Sequence, residues 1–336
     1  MKIAEIGEFG LIKRISSNLE FRRQGLIMGI GDDTAVFRPG EGKWLLMTTD
    51  MLVEGIHFSG HFASYEQIGW KAVVVNVSDI AAMGGIPACA TVSIGIPPQL
   101  ELEAVEEIYR GMRKAARTYE LNIVGGDTVK CPPLLVINVT LVGEADEGKV
   151  IYRSGAAPGD IICVTGPLGG SAAGLQLLLN RDLECPEEAR REALSFHLEP
   201  QARVKEGLLL SSEGLATSMN DISDGLASEL HEISQASNTG FVIDYDLIPI
   251  ADATKEVAKS CGTDPVHWAL YGGEDFELVF TVKPRALEKV ERLFAKCGFS
   301  LYRIGHVTEK EKGYLMRGGP GGEMQISPRG YNHFTE

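Results

Sequence analysis

Six segments of the chain set carboxylates beside glycines or at the ends of apolar, strand-like runs. They are Gly31-Asp32-Asp33, Thr48-Thr49-Asp50, Asn76-Val77-Ser78-Asp79, Gly125-Gly126-Asp127, Asp221-Ile222-Ser223-Asp224 and Gly272-Gly273-Glu274-Asp275. Ligand sites of α/β proteins favour the position just past a strand. Hard cations such as Mg²⁺ take oxygen ligands from carboxylates, hydroxyls, water and phosphates. Carboxylates that face one another repel unless cations lie between them, and glycines beside them let backbone approach phosphate oxygens closely. The pattern points to a site with several metal ions that handles a polyphosphate.

Each acid alone also fits a structural role. Gly31-Asp32-Asp33 is turn chemistry, Asp50 could end a strand, Ser223 or Asp224 could cap a helix, and Asp127 could form an Asx-turn. Asp79 stands apart, because it interrupts a nearly all-apolar helical run, with Asn76 three residues earlier on the same face. A buried carboxylate without a metal is costly unless a salt bridge compensates it. No competing catalytic motif is present: the chain lacks a G-x-x-x-x-G-K-[ST] loop, a G-x-S-x-G elbow and an H-E-x-x-H pair. Gly166-Pro167-Leu168-Gly169-Gly170 opens a helix but lacks a lysine, and reads as a tight strand–helix turn.

The elements that must position these acids alternate between helix and strand. Helical spacing marks Ile6 to Leu19, Leu100 to Tyr119 and Arg285 to Cys297, and Ser64 to Met83 is apolar nearly all round, as in a buried helix. Strands are expected at Trp44 to Thr49, ending on Asp50, at Pro87 to Ile96, and at Asn122 to Val124 leading into Gly125-Gly126-Asp127. Leu135 to Val142 alternates like a half-buried strand. Turn residues from Gly143 to Asp160 punctuate the chain, after which strand–loop–helix order restarts at Ile161. Two α/β (or α+β) domains are expected, 1–148 and 149–336.

The net charge of −14 argues against a nucleic-acid or anionic-membrane binder, though metal-bound nucleotide remains compatible with it. None of the six cysteines forms a C-x-x-C pair, and they are expected as reduced thiols of a cytoplasmic protein. The charged stretch from Met1 to Leu19 does not read as a signal peptide, and no apolar run is long enough for a membrane span.

Several of these segments resemble the thiamine-monophosphate kinase family, of the aminoimidazole-ribonucleotide-synthetase-like (PurM-like) superfamily. They are Gly29-Ile30-Gly31-Asp32-Asp33, the stretch from Thr49 to Phe58, the stretch from Asn76 to Gly84, Gly125-Gly126-Asp127-Thr128, Asp221 to Leu226, Tyr271 to Leu278, and Gly330-Tyr331-Asn332-His333-Phe334. The resemblance implies a two-domain fold whose N-terminal sheet meets that of a second subunit in a homodimer. It implies ATP as co-substrate, several Mg²⁺ ions and thiamine monophosphate as acceptor. On the family's positions, Asp33, Thr48, Thr49, Asp50, Asp79, Asp127, Asp221 and Asp224 would bind metal, and Asp33, Asp50, Asp79, Asp127 and Asp221 would carry catalysis. Tyr109, Gly126, Asp127, Arg153 and Ser223 would contact ATP, while His57, Glu274 and Tyr331 would hold thiamine monophosphate. Departures from the pattern are small: Gly85 stands where Ala is usual, Phe276 where Tyr is usual, and Thr48 where Ser is frequent.

The implied chemistry is direct. A phosphate monoester has a second pKa of about 6, so the acceptor is already largely a dianion at neutral pH and needs no strong general base. The obstacle is repulsion between anions, which bound cations relieve. In-line transfer of the γ-phosphoryl group without a phosphoenzyme is therefore expected. Rival readings are a sister enzyme of the superfamily with another acceptor, a non-catalytic sensor of a thiamine phosphate, and a metal-dependent phosphatase.

Overall fold

Strand β3 (Lys43–Val53) buries Leu46, Thr48 and Leu52 and exposes Met47, Thr49 and Met51. This period of two gives the strand one packed face and one open face. Strand β6 (Val136–Asp146) alternates in the same way and pairs antiparallel with β3 along its length. With β1 (Leu26–Met28), β2 (Ala35–Phe37), β4 (Ile86–Ile96) and β5 (Asn122–Lys130), they form a six-stranded sheet ordered β1-β2-β3-β6-β4-β5. β5 joins β4 in parallel and forms one edge. These details come from a computed structural model, which describes residues 25–29, 31–40, 42–327 and 330–331. The helix expected over Ile6 to Leu19, and Ile30, Asn332, His333 and Phe334 of the motifs, lie outside the described residues.

Two helices cover the packed face: α1 (Tyr65–Ala82) and α2 (Leu102–Thr118). Ser64 starts α1 with a capping box, its side chain accepting from the Gln67 N–H while the Gln67 side chain accepts from the Ser64 N–H. The helix is then buried almost all round, because the sheet and α2 lie on some sides and the second half of the chain on others. Glycine lets the helices cross closely: a Cβ on Gly69 would lie 1.9 Å from the Ile108 carbonyl oxygen, and one on Gly111 1.8 Å from that of Glu66.

The second half builds a seven-stranded sheet from β7 (Ile161–Val164), β8 (Ala216–Asp221), β9 (Thr239–Asp244), β10 (Leu278–Val282), β11 (Tyr302–Glu309), β12 (Tyr314–Arg317) and β13 (Met324–Gln325). Its order is β13-β12-β9-β11-β7-β10-β8. Its helices are α3 (Gly170–Leu179), α4 (Glu187–Leu198), α5 (Val204–Glu213), α6 (Leu226–Ser237), α7 (Asp252–Cys261), α8 (Pro265–Tyr271) and α9 (Pro284–Cys297). Ala82, at the end of α1, belongs to the core formed by Leu210, Met219, Leu278 and Phe280. One helix of the first half is thus anchored in the packing of the second.

Two strand ends differ from the expectation. β3 continues past Asp50 to Val53, and β5 past Val124 to Lys130. In each case a neighbour supplies further ladder: Val136 to Asn138 of β6, and Ser93 to Ile96 of β4. Asp50 and Asp127 therefore lie within strands and not beyond them. Gly126 permits this in β5, since its φ is +157° and a Cβ there would lie 1.8 Å from the Val92 carbonyl oxygen.

Candidate active site

Asp33, Asp79 and Asp221 each bring a carboxylate oxygen within 4.8 Å of the others. They come from the loop between β1 and β2, from α1, and from the last residue of β8, so the cluster lies between the two halves. Thr48 of β3 donates its hydroxyl to the Asp79 carboxylate, and the Ser78 hydroxyl donates to Asp221 at 2.6 Å. Asp50 joins from β3, its backbone N–H held by the Asn76 side chain at 3.1 Å. Asn76 in turn donates to the Ala72 carbonyl one helical turn earlier, at 3.2 Å.

The cluster is rich in like charge. Burial pushes the Asp79 carboxyl well above its ordinary value, and the charges of Asp50, Asp221 and Asp33 push the same way. Burial raises Asp221 as well, against the hydrogen bond from Ser78. Asp50 is pushed up to about 6 by burial and by Asp221. Burial likewise raises Asp33, against the pull of the Arg153 guanidinium.

Arg153 is the cation that this cluster meets. Its guanidinium contacts Asp33 and lies 3.0 Å from Glu232, and its Nε donates to Asn220 at 3.2 Å. Its backbone N–H donates to Asp32 at 3.2 Å. Behind Asn220 stands Glu229, buried and raised by burial and by the charge of Glu232; it also accepts the Asp224 N–H at 3.1 Å. Even so, Asp33 Oδ2 and the neighbouring Thr34 hydroxyl are buried without a hydrogen-bond partner among the described residues.

The expected metal residues divide between two faces of the first sheet. Thr48 and Asp50 face α1 and the cluster. Thr49 faces the other way, donating to the Val139 carbonyl at 3.0 Å and meeting Thr140 and Asn138. Met51 pairs with Asn138, Asn138 with Ser93, and Ser93 with Asp127. Cross-strand partners share a face, so Asp127 lies on the open side with Met51. There its carboxylate accepts the Thr128 N–H at 2.9 Å. Tyr109 packs against the first core from α2.

A second polar cluster surrounds Glu274. The Lys71 ammonium of α1 lies 2.6 Å from Glu274 Oε2, and His197 Nδ1 of α4 lies 3.4 Å from the same oxygen. Burial alone would raise this carboxyl, but Lys71, then His197 and His57, outweigh it and hold the group below its ordinary value. Burial and Lys71 push His197 down to about 4, so its ring is neutral at pH 7. His57 Nδ1 accepts the Val53 N–H at 3.1 Å, which leaves the proton on Nε2. Asp275 beside Glu274 accepts the N–H groups of Gly169 and Ser171, and burial pushes it up to about 7.

One stretch of backbone joins the two clusters. The Glu274 N–H donates to the Ser223 carbonyl at 2.6 Å, and the Phe276 N–H to that of Ile222 at 2.9 Å. The Tyr331 N–H donates to the Asp224 carbonyl at 3.2 Å, which brings the C-terminal segment beside them. Sequence reasoning passed over Lys71, Ser78, His197, Asn220, Glu229 and Glu232 as site residues. Lys71 carried a usable signal, the one that singled out Asp79: a charge inside an apolar helical run.

The family described as AIR synthase related protein matches twice, its N-terminal domain over residues 31–145 and its C-terminal domain over 157–318. The thiamine-monophosphate kinase of Bacillus subtilis (strain 168) is 39% identical over 330 residues, covering 97% of this chain and 99% of that protein. That of Aquifex aeolicus (strain VF5) is 36% identical over 336 residues, covering 99% and 100%. A solved structure described as AaThiL complexed with AMPPCP and TMP superposes with a TM-score of 0.86 at 36% identity, covering 99% of each chain. The hydrogenase maturation protein HypE shares the fold, with a TM-score of 0.70 at 21% identity.

Proposed function

The chain belongs to the AIR synthase related family, and on that premise we propose that it transfers the γ-phosphoryl group of ATP to thiamine monophosphate, yielding ADP and thiamine diphosphate. The observation that carries this reading is the pairing of two sites on one backbone strip. A carboxylate cluster suited to a metal-bound polyphosphate adjoins the polar cluster of Glu274, Lys71, His197 and His57. The full-length likeness to a structure holding AMPPCP and TMP supports the same assignment.

Mg²⁺ fits the donor set. The oxygens of Asp33, Asp79, Asp221, Asp50 and Thr48 are hard ligands, their mutual repulsion calls for added positive charge, and Asp33 Oδ2 is buried with no partner among the described residues. Asp224 would add a carboxylate from just before α6, while Thr49 and Asp127, on the open face with β6 and β4 between their strands, would each meet a different ion. Bound there, Mg²⁺ supplies the charge that screens donor from acceptor and stabilises the transferring group.

The chain's own residues do the positioning. Ser78 and Thr48 fix the carboxylates to which they donate. Gly126, Ser223, Tyr109 and Asp127 contact ATP. Arg153, which contacts Asp33, would neutralise phosphate charge of the nucleotide. His57 donates from Nε2 to the acceptor phosphate, Glu274 accepts from the cationic, amino-bearing rings, and Tyr331 stacks on them. The acceptor phosphate is already a dianion, so transfer is direct and in line, with no phosphoenzyme.

The open face of the first sheet exposes Met47, Met51, Val124 and Val129, which supports a homodimer formed through that face. The domains divide at residues 148 and 149, after the first sheet ends with β6 and before β7 starts the second. The enzyme acts in the cytoplasm, in keeping with its free thiols; among the described residues no helix is long and apolar enough to cross a membrane. Purified protein with ATP, Mg²⁺ and thiamine monophosphate tests the reading. Equal amounts of ADP and thiamine diphosphate, abolished by chelator, support it. ADP without thiamine diphosphate overturns the acceptor, and binding without turnover favours a sensor.

A further inference from the structure

Lys71 is a cation in an apolar helix, between Trp70 and the run Ala72-Val73-Val74-Val75, and its residue is only 4% exposed. Lysine is rarely buried so fully, and removal of an ammonium from water is unfavourable unless a partner compensates it. A helix that needed only to pack would carry an aliphatic side chain there. The compensating partner is Glu274 of the other half, 2.6 Å away.

Seven residues further on, Ser78 makes a second bond between the halves, to Asp221 at 2.6 Å. Seven residues are close to two turns, so both contacts lie on one face of α1, about 10 Å apart along its axis. The acids they meet are coupled through the backbone bonds from Glu274 to Ser223 and from Phe276 to Ile222. One helix therefore grips the strip carrying both acids at two points, one beside the carboxylate cluster and one within the Glu274 cluster.

The Glu274 end is built with care. Glu274 and Phe276 both adopt left-handed backbone, with φ of +68° and +51°, which is costly for residues with a Cβ and aims their side chains. Lys71 and His197 converge on the same oxygen, Oε2. The Glu274 side chain is 27% exposed where that of Lys71 is 6% exposed, and with Lys71 and His197 both on Oε2 the other oxygen, Oε1, is left for a ligand. His197 Nδ1 serves both Ser171, at 2.9 Å, and Glu274. With both contacts on one nitrogen, these three residues form a brace and not a proton relay.

We propose that Lys71 is a positioning residue of the substrate pocket: it pins Oε2 of Glu274 so that Oε1 meets the cationic, amino-bearing end of the substrate at a fixed distance from the phosphoryl-transfer centre. The inference rests on the reading of Glu274 as the contact to thiamine monophosphate. It differs from a purely structural role, because it ties Lys71 to one substrate and not to both.

Steady-state kinetics on the full-length protein, with thiamine monophosphate and ATP varied separately, test it in Lys71→Met, Lys71→Arg, Glu274→Gln and the Lys71→Met/Glu274→Gln double variant. Lys71→Met should raise KM for thiamine monophosphate by about tenfold or more while KM for ATP stays within about twofold. Lys71→Arg should fall between parent and Lys71→Met, since a guanidinium keeps the charge but not the geometry. The double variant should be little worse than Glu274→Gln alone, because Lys71 acts through that residue. If Lys71→Met moves both KM values alike, or neither, the proposal is overturned. Should Lys71→Met fail to fold, Lys71→Arg carries the test, and an unchanged KM for thiamine monophosphate there overturns it. A parental KM in Glu274→Gln overturns instead the assignment of Glu274 to the substrate.

Discussion

Ser78 and Asp221 are 143 residues apart in the chain and 2.6 Å apart in the fold. The hydrogen bond between them closes the carboxylate cluster, because Asp79 is the next residue after Ser78 on α1 and Asp221 is the last residue of β8. The cluster forms only where the two halves of the chain meet. Its acids are set at their distances by packing and not by any local turn.

Buried, mutually repelling carboxylates make the stability of the metal-free protein fall with rising pH. An aspartate in an unfolded chain titrates near about 3.9, whereas Asp50 is pushed up to about 6 and Asp33, Asp79 and Asp221 are raised with it. Between those values the native state binds more protons than the unfolded one. Their contribution to stability is therefore greatest below about pH 4 and declines as pH rises through about 6 and beyond. Mg²⁺ binds the ionised form, so the rise in melting temperature on adding Mg²⁺ should be larger at pH 7.5 than at pH 5. Equal rises at both would remove the metal from this cluster.

Asp79→Asn should separate activity from folding. It takes away an acid whose charged form burial and three neighbouring acids disfavour, so the metal-free protein should melt no lower than the parent. Turnover should fall by about 100-fold or more, the scale of losing one element of electrostatic preorganisation. Near-parental turnover at limiting Mg²⁺ would take Asp79 out of the chemistry.

The crossing of α1 and α2 should not tolerate a methyl group. Gly69→Ala or Gly111→Ala would bring a Cβ within 2 Å of a backbone carbonyl oxygen on the other helix. Each should cost about 1–3 kcal/mol in denaturant unfolding, the usual range for overpacking. Because α1 carries Lys71, Ser78 and Asp79, turnover should fall in the same variants. A parental unfolding midpoint would show that the helices separate freely.

His57→Ala should raise KM for thiamine monophosphate about tenfold, with KM for ATP little changed, since Nε2 is the donor it presents to the acceptor. An effect on ATP alone would move His57 to the nucleotide.

Met51→Glu puts a charge in the middle of the open sheet face, where Met51 is 53% exposed. Light scattering coupled to gel filtration should find the parent as a dimer and the variant as a monomer. A parent that runs as a monomer would dismiss the dimer.

The sequence disclosed the acids more readily than their grouping. Asp33, Asp79 and Asp221 stand out as carboxylates beside glycine or within apolar runs, and the fold brings them together. The opposite facing of Thr48 and Thr49 follows from strand alternation, but the placing of Asp50 and Asp127 on opposite faces was not legible, because it depends on strand length. The partners β6 and β4 carry β3 and β5 past the residues where local signals suggested an end. Arg153 was expected on the nucleotide, yet its grip on Asp33 and Glu232 is tertiary. The same holds for the Lys71–Glu274–His197 brace, whose members come from three distant segments.

The most direct test of the central claim follows a labelled phosphoryl group. Protein in excess over ATP labelled in its γ-phosphate, mixed with Mg²⁺ and thiamine monophosphate, is quenched within a single turnover. We expect the label in the terminal phosphate of thiamine diphosphate and none bound to protein, with both label transfer and ADP formation lost in Asp79→Asn. Label released only as inorganic phosphate, or retained on the protein, would contradict direct transfer between the two phosphates.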